Sequence, residues 1–184
     1  MTDTADDAGA SQILAQARSV LVIDWPSRDV PATLAAAGLA VTVKGGPGPT
    51  DYTVWGVTDG EPATRQLGHA PEHADIVYCH RPFGELPSII AMARELGATA
   101  IWRQSGLTST GAKAPDGCWV PPAESRQGRE LAAAAGLNYI DDIYIAEAAR
   151  ALGVSASTAD NDWAYARSWL RLEIEGRAGG DGEQ

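Results

Sequence analysis

The chain has 184 residues, with 14 Lys and Arg against 24 Asp and Glu, and its formal net charge is −10 at pH 7. A chain of this length is expected to form one domain that is stabilised by its own hydrophobic core, without a metal or a disulfide. The acidic balance argues against a nucleic-acid partner, because a surface short of cations cannot drive counterion release from a phosphate backbone.

The start of the chain, MTDTADDAGA, is acidic and has no apolar run, so we expect neither a signal peptide nor a transit peptide. No stretch approaches the roughly 18 apolar residues of a membrane span, so we expect no membrane partner. Cys79 and Cys118 are not spaced as a disulfide framework and indicate reduced thiols. These features predict a cytoplasmic protein.

An Ala-rich run, a glycine and a β-branched run follow one another three times along the chain. The segments are LAAAGLAVTV around Gly38, ARELGATAIW around Gly97 and LAAAAGLNYI around Gly136. A glycine in the left-handed conformation ends a helix, and the chain then enters a strand. The pattern predicts alternating helices and strands, with short apolar strands that are typical of a parallel sheet.

In chain order, the predicted helices cover residues 12–18, 30–37, 85–96 and 125–135. The predicted strands cover residues 20–24, 40–44, 75–79, 99–103 and 138–143. Two long connections separate them. The first, residues 45–74, is rich in Gly and Pro and is expected to form a loop with a short helix or ribbon. The second, residues 107–122, is typical of a functional flap.

These elements predict an α/β domain with a mostly parallel sheet of about five strands. The domain is expected to cover residues 11–153 and to be followed by a C-terminal helix within residues 154–176. Acidic disordered tails are expected at residues 1–10 and 177–184.

The predicted C-terminal helix places Trp163 on one face and Trp169 on another. A helix that is apolar on two sides can pack on its own domain and on a second subunit at once. Homodimerisation through this helix and ordinary packing of the aromatic side chains within one chain are both open.

Four of the fourteen cationic side chains lie at the carboxyl ends of four successive predicted strands. In an open α/β sheet, the ligand crevice lies beyond the carboxyl ends of the strands. Cations beside helix N-termini are what a phosphate group needs. We therefore expect a small phosphorylated ligand at this edge, the alternative being that the four side chains are solvated loop charges. They are Arg28, Lys44, Arg81 and Arg103.

Several segments resemble, in the same order, the single-domain CoA-binding proteins of the succinyl-CoA-synthetase-α type. In that family a D-I-V strand is followed by an Arg-Pro turn, the next strand by W-x-Q-x-G, and the last by an Asp and a short helix that contains Glu. The matching residues are Asp75-Ile76-Val77 with Arg81-Pro82, Trp102-Gln104-Gly106, and Asp141 with Glu147. The resemblance spans residues 12–152 and implies a three-layer Rossmann-like fold with helices on both faces of the sheet.

The resemblance also implies that CoA or acyl-CoA binds at the strand ends. NADP is an alternative, because Lys44 suits the 3′-phosphate of CoA and the 2′-phosphate of NADP alike. The expected cofactor-binding residues are Trp25, Ser27, Arg28, Lys44, His80, Arg81, Pro82, Arg103, Gln104, Ser105 and Gly106.

The chain departs from the family's pattern at three places. Its first strand opens into Asp24-Trp25-Pro26-Ser27-Arg28 instead of a longer loop of the V-G-x-S kind. A glycine there lets backbone amides approach a diphosphate, whereas Asp24 brings a negative charge to that position. Asp142-Ile143 stands where Arg-Cys often follows the family's last Asp, and residues 107–122 are an insertion.

Three other sets of residues could carry chemistry. Cys79 beside His80 suggests an activated thiolate, although neighbouring side chains on a strand point to opposite faces. His69 and His73 have the spacing of a helical metal pair, but Pro71 lies between them, and we expect no metal. Asp24 with Asp141 or Asp142 could form a carboxylate pair in which one pKa is raised.

The leading hypothesis is a module that binds CoA, acyl-CoA or a related adenine nucleotide, with residues 107–122 closing over the ligand. One alternative is a small-molecule enzyme on the same fold, with Asp24, His80 and Asp141 as acid and base groups and with Trp25 and Trp119 as apolar walls. Another is a dimeric scaffold without a ligand.

Overall fold

The fold is described here from a computed structural model, which covers residues 4–24, 28–104, 120–141 and 143–152. Seven strands in this part of the chain form one mixed sheet in the order β4-β3-β2-β1-β5-β6-β7. Strands β2, β1, β5, β6 and β7 are parallel, and β3 and β4 are antiparallel to their neighbours. The strands are β1 (Ser19–Ile23), β2 (Ala40–Lys44), β3 (Tyr52–Thr58), β4 (Glu61–Gln66), β5 (Ile76–Cys79), β6 (Ala100–Arg103) and β7 (Asn138–Ile140).

Helices cover both faces of this sheet. Alternate side chains of each parallel strand point to opposite faces, so Val20 and Val22 join one hydrophobic core while Leu21 and Ile23 join the other. The first core contains residues of α1 (Thr4–Gln16), α2 (Asp29–Ala36) and α5 (residues 145–152). The second contains residues of α3 (Leu86–Glu95) and α4 (Pro122–Ala134). The α/β architecture is therefore confirmed.

The predicted number of about five strands is wrong, because a β-hairpin extends the sheet beyond β2. Strands β3 and β4 lie in the Gly- and Pro-rich stretch that was expected to be a loop with a short helix or ribbon. Asp59 and Gly60 join them, and both residues have positive φ angles, 54° and 82°. Asp-Gly is a preferred sequence for such a two-residue hairpin turn, and this signal identifies the hairpin.

Helix α1 begins at Thr4 rather than near residue 12, so it includes most of the stretch that was predicted as a tail. Ala10 and Leu14 on this helix are buried in the first core. The Ala-rich sequence favours a helix, and contact with the sheet stabilises it. In the part of the chain that the structure covers, no helix has the length and hydropathy to cross a membrane.

Asp75 joins the amino ends of three strands. Its Oδ2 accepts hydrogen bonds from the backbone N–H of Arg18 at 2.8 Å and from the N–H and hydroxyl of Ser19, both at 2.9 Å. Its carbonyl oxygen accepts from the N–H of Thr99 at 2.9 Å. The aspartate of the D-I-V motif therefore holds β1, β5 and β6 together at the edge opposite the ligand crevice.

The charge of Asp75 stabilises the fold in a pH-dependent way. Partial burial alone would raise its pKa, but hydrogen bonds from Arg18, His73 and Ser19 outweigh burial and lower the pKa from 3.8 to about 2. A carboxylate with a lowered folded-state pKa contributes stability that is present above pH 4 and is lost as the pH falls towards 2.

We predict that Asp75→Asn lowers the free energy of unfolding at pH 7 by about 2 kcal/mol, since one pKa unit corresponds to about 1.4 kcal/mol. The gap between wild type and variant should shrink between pH 4 and pH 2. Urea denaturation at several pH values measures both effects. Glu72→Gln, at an exposed position, is the matched control. A gap that stays constant with pH would contradict the assignment.

Gly128 allows helix α4 to approach the sheet closely at Tyr139 of β7. A Cβ atom at this position would lie 2.5 Å from Cζ and 2.6 Å from the hydroxyl oxygen of Tyr139. No flexible side-chain end can move aside, because the contact is with a buried aromatic ring. Only glycine therefore fits between α4 and β7.

We predict that Gly128→Ala destabilises the protein by roughly 1–3 kcal/mol through overpacking, even though alanine favours a helix. Gly9→Ala on α1 is the matched control, because a Cβ there meets nothing within 4 Å. Thermal unfolding followed by circular dichroism compares the two variants. Equal melting temperatures for them would show that α4 can shift without cost.

Candidate functional site

A cavity of about 530 Å³ opens at the carboxyl ends of β1 and β2, beside the start of α3. Small-molecule sites typically occupy roughly 300–1,000 Å³. Strand β2 lies on one side of β1 in the sheet, and β5, the next parallel strand, lies on the other side. The cavity therefore lies where the strand order reverses. It is lined by Ile23, Asp24, Lys44, Gly45, Gly46, Pro47, Arg81, Glu85, Ser88, Ile89 and Met92.

Arg81, two residues after β5, is held by two carboxylates at the mouth of this cavity. Its Nε donates to Oε2 of Glu85 at 2.9 Å, its Nη2 donates to Oε1 of Glu85 at 2.6 Å, and its Nη1 donates to Oδ2 of Asp24. The hydrogen bonds from Arg81 lower the pKa of Glu85, and those from Glu85 raise the pKa of Arg81. Each guanidinium nitrogen thus already has a carboxylate partner.

Asp24 occupies a backbone conformation that favours glycine, with φ at 56°. Its N–H donates to the carbonyl of Lys44 at 3.1 Å, which continues the β1–β2 pairing by one residue. Aspartate is among the few residue types that tolerate this conformation, and the contact with Arg81 holds its side chain. Asp24 therefore extends β1 by one residue and places a carboxylate beside Arg81.

Lys44 is the cation of the cavity that has no carboxylate partner among the described residues. Its Nζ donates to the carbonyl of Gly46 at 2.9 Å and lies 5.7 Å from the centre of the Tyr52 ring. A lysine ammonium has three N–H donors, so the group can bind a phosphate oxygen while it keeps this contact.

The loop after β2 is tightly closed. Asp51 Oδ2 accepts from the N–H of Gly48 at 2.8 Å, and a Cβ on Gly46 or Gly48 would meet the Asp51 carboxylate. The Gly-Gly-Pro-Gly sequence fits this turn because it offers small residues where the carboxylate approaches the backbone. The closed loop places Gly45, Gly46 and Pro47 on the wall of the cavity.

Arg103 is the last residue of β6 and Gln104 follows it, but both side chains are buried, with exposed fractions of 1% and 2%. Arg103 donates to Oε2 of Glu124 at 3.1 Å and lies 5.3 Å from the centre of the Phe83 ring. Gln104 Oε1 accepts from the N–H of Ile145 at 3.2 Å, at the start of α5. Both side chains contact protein groups, and their contact with a ligand stays a prediction.

Trp102, the first residue of the W-x-Q motif, has a similar structural role. Its indole N–H donates to the carbonyl of Ile143 at 2.8 Å. Together with Gln104 it holds the connection between β7 and α5. The residues that define the motif therefore fix the fold beside the crevice.

The other predicted contacts are spread around the crevice. His80 is half-buried, and burial lowers its pKa although the Asp24 carboxylate opposes this. Pro82 precedes the 3₁₀ turn Phe83–Glu85, and exposed Arg28 precedes α2. Of the four cations expected at the strand ends, Lys44 and Arg81 line the cavity.

The structure does not bring Asp24 and Asp141, one of the two possible carboxylate pairs, to neighbouring strands. Strands β5 and β6 lie between β1 and β7, and strands in a sheet are about 4.8 Å apart, so the two residues follow strands that are not neighbours. Asp141 is buried and accepts a hydrogen bond from Arg129 at 3.0 Å instead.

The structure also disfavours a reactive thiol at Cys79. Burial raises its pKa to about 12, against a smaller opposite effect of Arg103.

The two histidines with the spacing of a metal pair contact protein oxygens. Nε2 of His73 lies 2.8 Å from Oδ1 of Asp75, and Nδ1 of His69 lies 2.8 Å from the carbonyl oxygen of Ala70.

Several predicted residues lie outside the described part of the chain. They belong to the loop after β1, the stretch after β6 with the expected flap, the stretch after β7 and the predicted C-terminal helix. In chain order they are Trp25, Ser27, Ser105, Gly106, Cys118, Trp119, Asp142, Trp163 and Trp169.

Several residues of the cavity were not among the expected contacts. Four of them come from the 3₁₀ turn and from α3 rather than from a strand end: Glu85, Ser88, Ile89 and Met92. Glu85 follows Arg81 by four residues, and this spacing is a recognisable signal for an ion pair. No comparable signal marks Ile89 and Met92, because their positions depend on how α3 packs.

Comparison with known proteins agrees with this architecture. A sequence model described as a CoA binding domain matches residues 23–148, more than half of the chain. The chain therefore belongs to the CoA binding domain family. A second model, of ECF sigma factors, matches residues 123–176, less than a third of the chain. No curated protein matches the sequence.

Two solved structures are similar to parts of this chain. The crystal structure of Prb, a PH1109 protein redesigned for binding, is 17% identical with a TM-score of 0.50, and the match covers 79% of this chain and 91% of that one. The structure of cell-free ID.343 from Thermus thermophilus is 22% identical with a TM-score of 0.49, and the match covers 79% of this chain and 98% of that one. At these identities, the likeness of the Prb structure supports the fold alone.

Proposed function

We propose that this chain binds CoA, acyl-CoA or a related adenine nucleotide in the cavity at the carboxyl ends of β1 and β2. The observation that carries the proposal is Lys44, a cation on the cavity wall without a carboxylate partner in the described parts of the chain. A phosphate group at Lys44 would gain a charge-assisted hydrogen bond.

The remaining walls suit the rest of such a ligand. Ile23, Ile89 and Met92 offer apolar surface for a flat base or an acyl chain, and Asp24 and Glu85 offer acceptor oxygens for hydroxyl or amino groups. Membership of the CoA binding domain family supports a CoA-related ligand. NADP, whose 2′-phosphate presents the same chemistry, is the competing ligand in the test.

We predict that Lys44→Gln weakens CoA binding about tenfold, which corresponds to loss of one charge-assisted hydrogen bond. Isothermal titration calorimetry at low salt, with CoA, acetyl-CoA and NADPH, measures the affinities and ranks the ligands. Arg65→Gln is the matched control, since it removes one exposed cation of β4 that does not line the cavity.

Arg65→Gln should stay within twofold of wild type. Absence of binding by all three ligands at millimolar concentration would overturn the proposed function. Equal weakening by both variants would show that the ligand responds to net charge and that it does not bind at Lys44.

A further inference from the structure

A second polar cluster, formed by Arg103 and Tyr139, lies on the same edge of the sheet as Lys44. Lys44 lies opposite Ile23 in the strand pairing, and Cys79 lies on the other side of Ile23. Arg103 lies opposite Cys79. Residues in one such row point to the same face, and strands are about 4.8 Å apart, so the Cα atoms of Lys44 and Arg103 are about 14 Å apart. The cavity and the cluster therefore share the face that α3 and α4 cover.

The guanidinium group of Arg103 has hydrogen-bond donors that the protein does not use. Its Nη2 donates to Oε2 of Glu124 at 3.1 Å and to the carbonyl oxygen of Arg81 at 3.5 Å. Its Nε and Nη1 are buried and have no hydrogen-bond partner in the described part of the chain. A buried donor without an acceptor is unfavourable, so a ligand group that accepts from it gains affinity.

The hydroxyl group of Tyr139 is the second buried donor of this cluster. Among the residues that the structure describes, it has no hydrogen-bond partner. Burial raises the pKa of Tyr139, and the Arg103 guanidinium is close enough to oppose this increase, so the hydroxyl group is protonated at pH 7. Even if its oxygen accepts one N–H of Arg103, other N–H groups of Nε and Nη1 still lack an acceptor.

The charges around the cluster favour an acceptor that is itself uncharged. Glu124 already neutralises Arg103. Beside them, the carboxylates of Asp24 and Glu85 outnumber the guanidinium of Arg81, so a further anion would be repelled. An amide would bring an N–H that needs an acceptor of its own, whereas the carbonyl of a thioester only accepts. A thioester carbonyl therefore fits these donors best.

We propose that Arg103 and Tyr139 bind the thioester carbonyl of an acyl-CoA, so that the protein prefers acyl-CoA to free CoA. The inference rests on the proposed function and narrows its class of ligand. With a phosphate group of the nucleotide at Lys44, the acyl end of the ligand lies along the sheet edge towards β6. The half-buried ring of Phe83 lies over the guanidinium, with its centre 5.3 Å from Cζ of Arg103. Rotation of this ring would admit a small acyl group from the neighbouring cavity.

The test compares acetyl-CoA with S-ethyl-CoA, a thioether of nearly the same size in which a methylene group replaces the carbonyl. We expect wild type to bind acetyl-CoA about tenfold more tightly, because the thioether leaves the buried donors without an acceptor. Isothermal titration calorimetry measures both affinities, and CoA is titrated alongside them.

Three variants make the comparison decisive. Arg103→Met removes the donors and keeps the length of the side chain, so the two ligands should bind within about twofold of each other, with S-ethyl-CoA little changed from wild type. Tyr139→Phe removes only the hydroxyl group and should reduce the preference about threefold. It serves if circular dichroism shows that Arg103→Met is unfolded. Arg94→Met is the matched control, since this exposed residue of α3 does not line the cavity, and it should keep the preference.

The results separate the two claims. If wild type binds none of CoA, acetyl-CoA and S-ethyl-CoA, the proposed function fails. If wild type binds them without a preference for acetyl-CoA, or if neither Arg103→Met nor Tyr139→Phe lowers that preference, the inference is overturned and the proposed function stands. Equal weakening of both ligands by Arg103→Met would also overturn it, because Arg103 would then only stabilise the fold.

Discussion

The parallel pairing of β1 with β2 on one side and with β5 on the other is the constraint on which the site depends. It brings the carboxyl ends of β1, β2 and β5 to one edge of the sheet. The loops that follow β1 and β5 lead to opposite sides, and this opens a crevice between them. Asp75 fixes this arrangement at the opposite edge through its hydrogen bonds to Arg18 and Ser19. The cavity is therefore a consequence of how the sheet is built, and its side chains determine what it accepts.

The charged side chains give different parts of the cavity different charges. Arg81 is neutralised by its own carboxylate partners, whereas the Lys44 ammonium contacts the Gly46 carbonyl and the Tyr52 ring and has no carboxylate partner among the described residues. The four cationic residues at the strand ends predict a broad positive surface along this edge of the sheet. Among the described residues that line the cavity, the hydrogen bonds show instead one cation without a carboxylate partner, Lys44, and a cluster of net negative charge around Arg81, which favours a ligand whose anionic group lies at one end.

Much of the fold could be predicted from the sequence, because helix ends and buried parallel strands leave local signals such as Gly38, Gly97 and Gly136. The hairpin at Asp59–Gly60 also had a local signal, because the Asp-Gly turn favours the ribbon over the short helix, and the prediction had left both open. The site was less predictable. Arg81 and Lys44 were found from their positions at the carboxyl ends of strands, but the separation of Asp24 from Asp141 depends on strand order, and the burial of Arg103 depends on tertiary packing. Strand order arises from contacts between distant residues, which no short pattern records. Asp75, Trp102 and Gln104, on which the sequence resemblance rests, make hydrogen bonds that hold the fold, while Asp24 lies in the cavity.

A crystal structure of the protein with bound CoA tests the central claim most directly. The account predicts a phosphate oxygen of the ligand at hydrogen-bond distance, about 3 Å, from Nζ of Lys44, with Arg81 still held by Glu85 and Asp24. A ligand bound elsewhere along the sheet edge, for example at Arg28, with no phosphate group near Lys44, would contradict it.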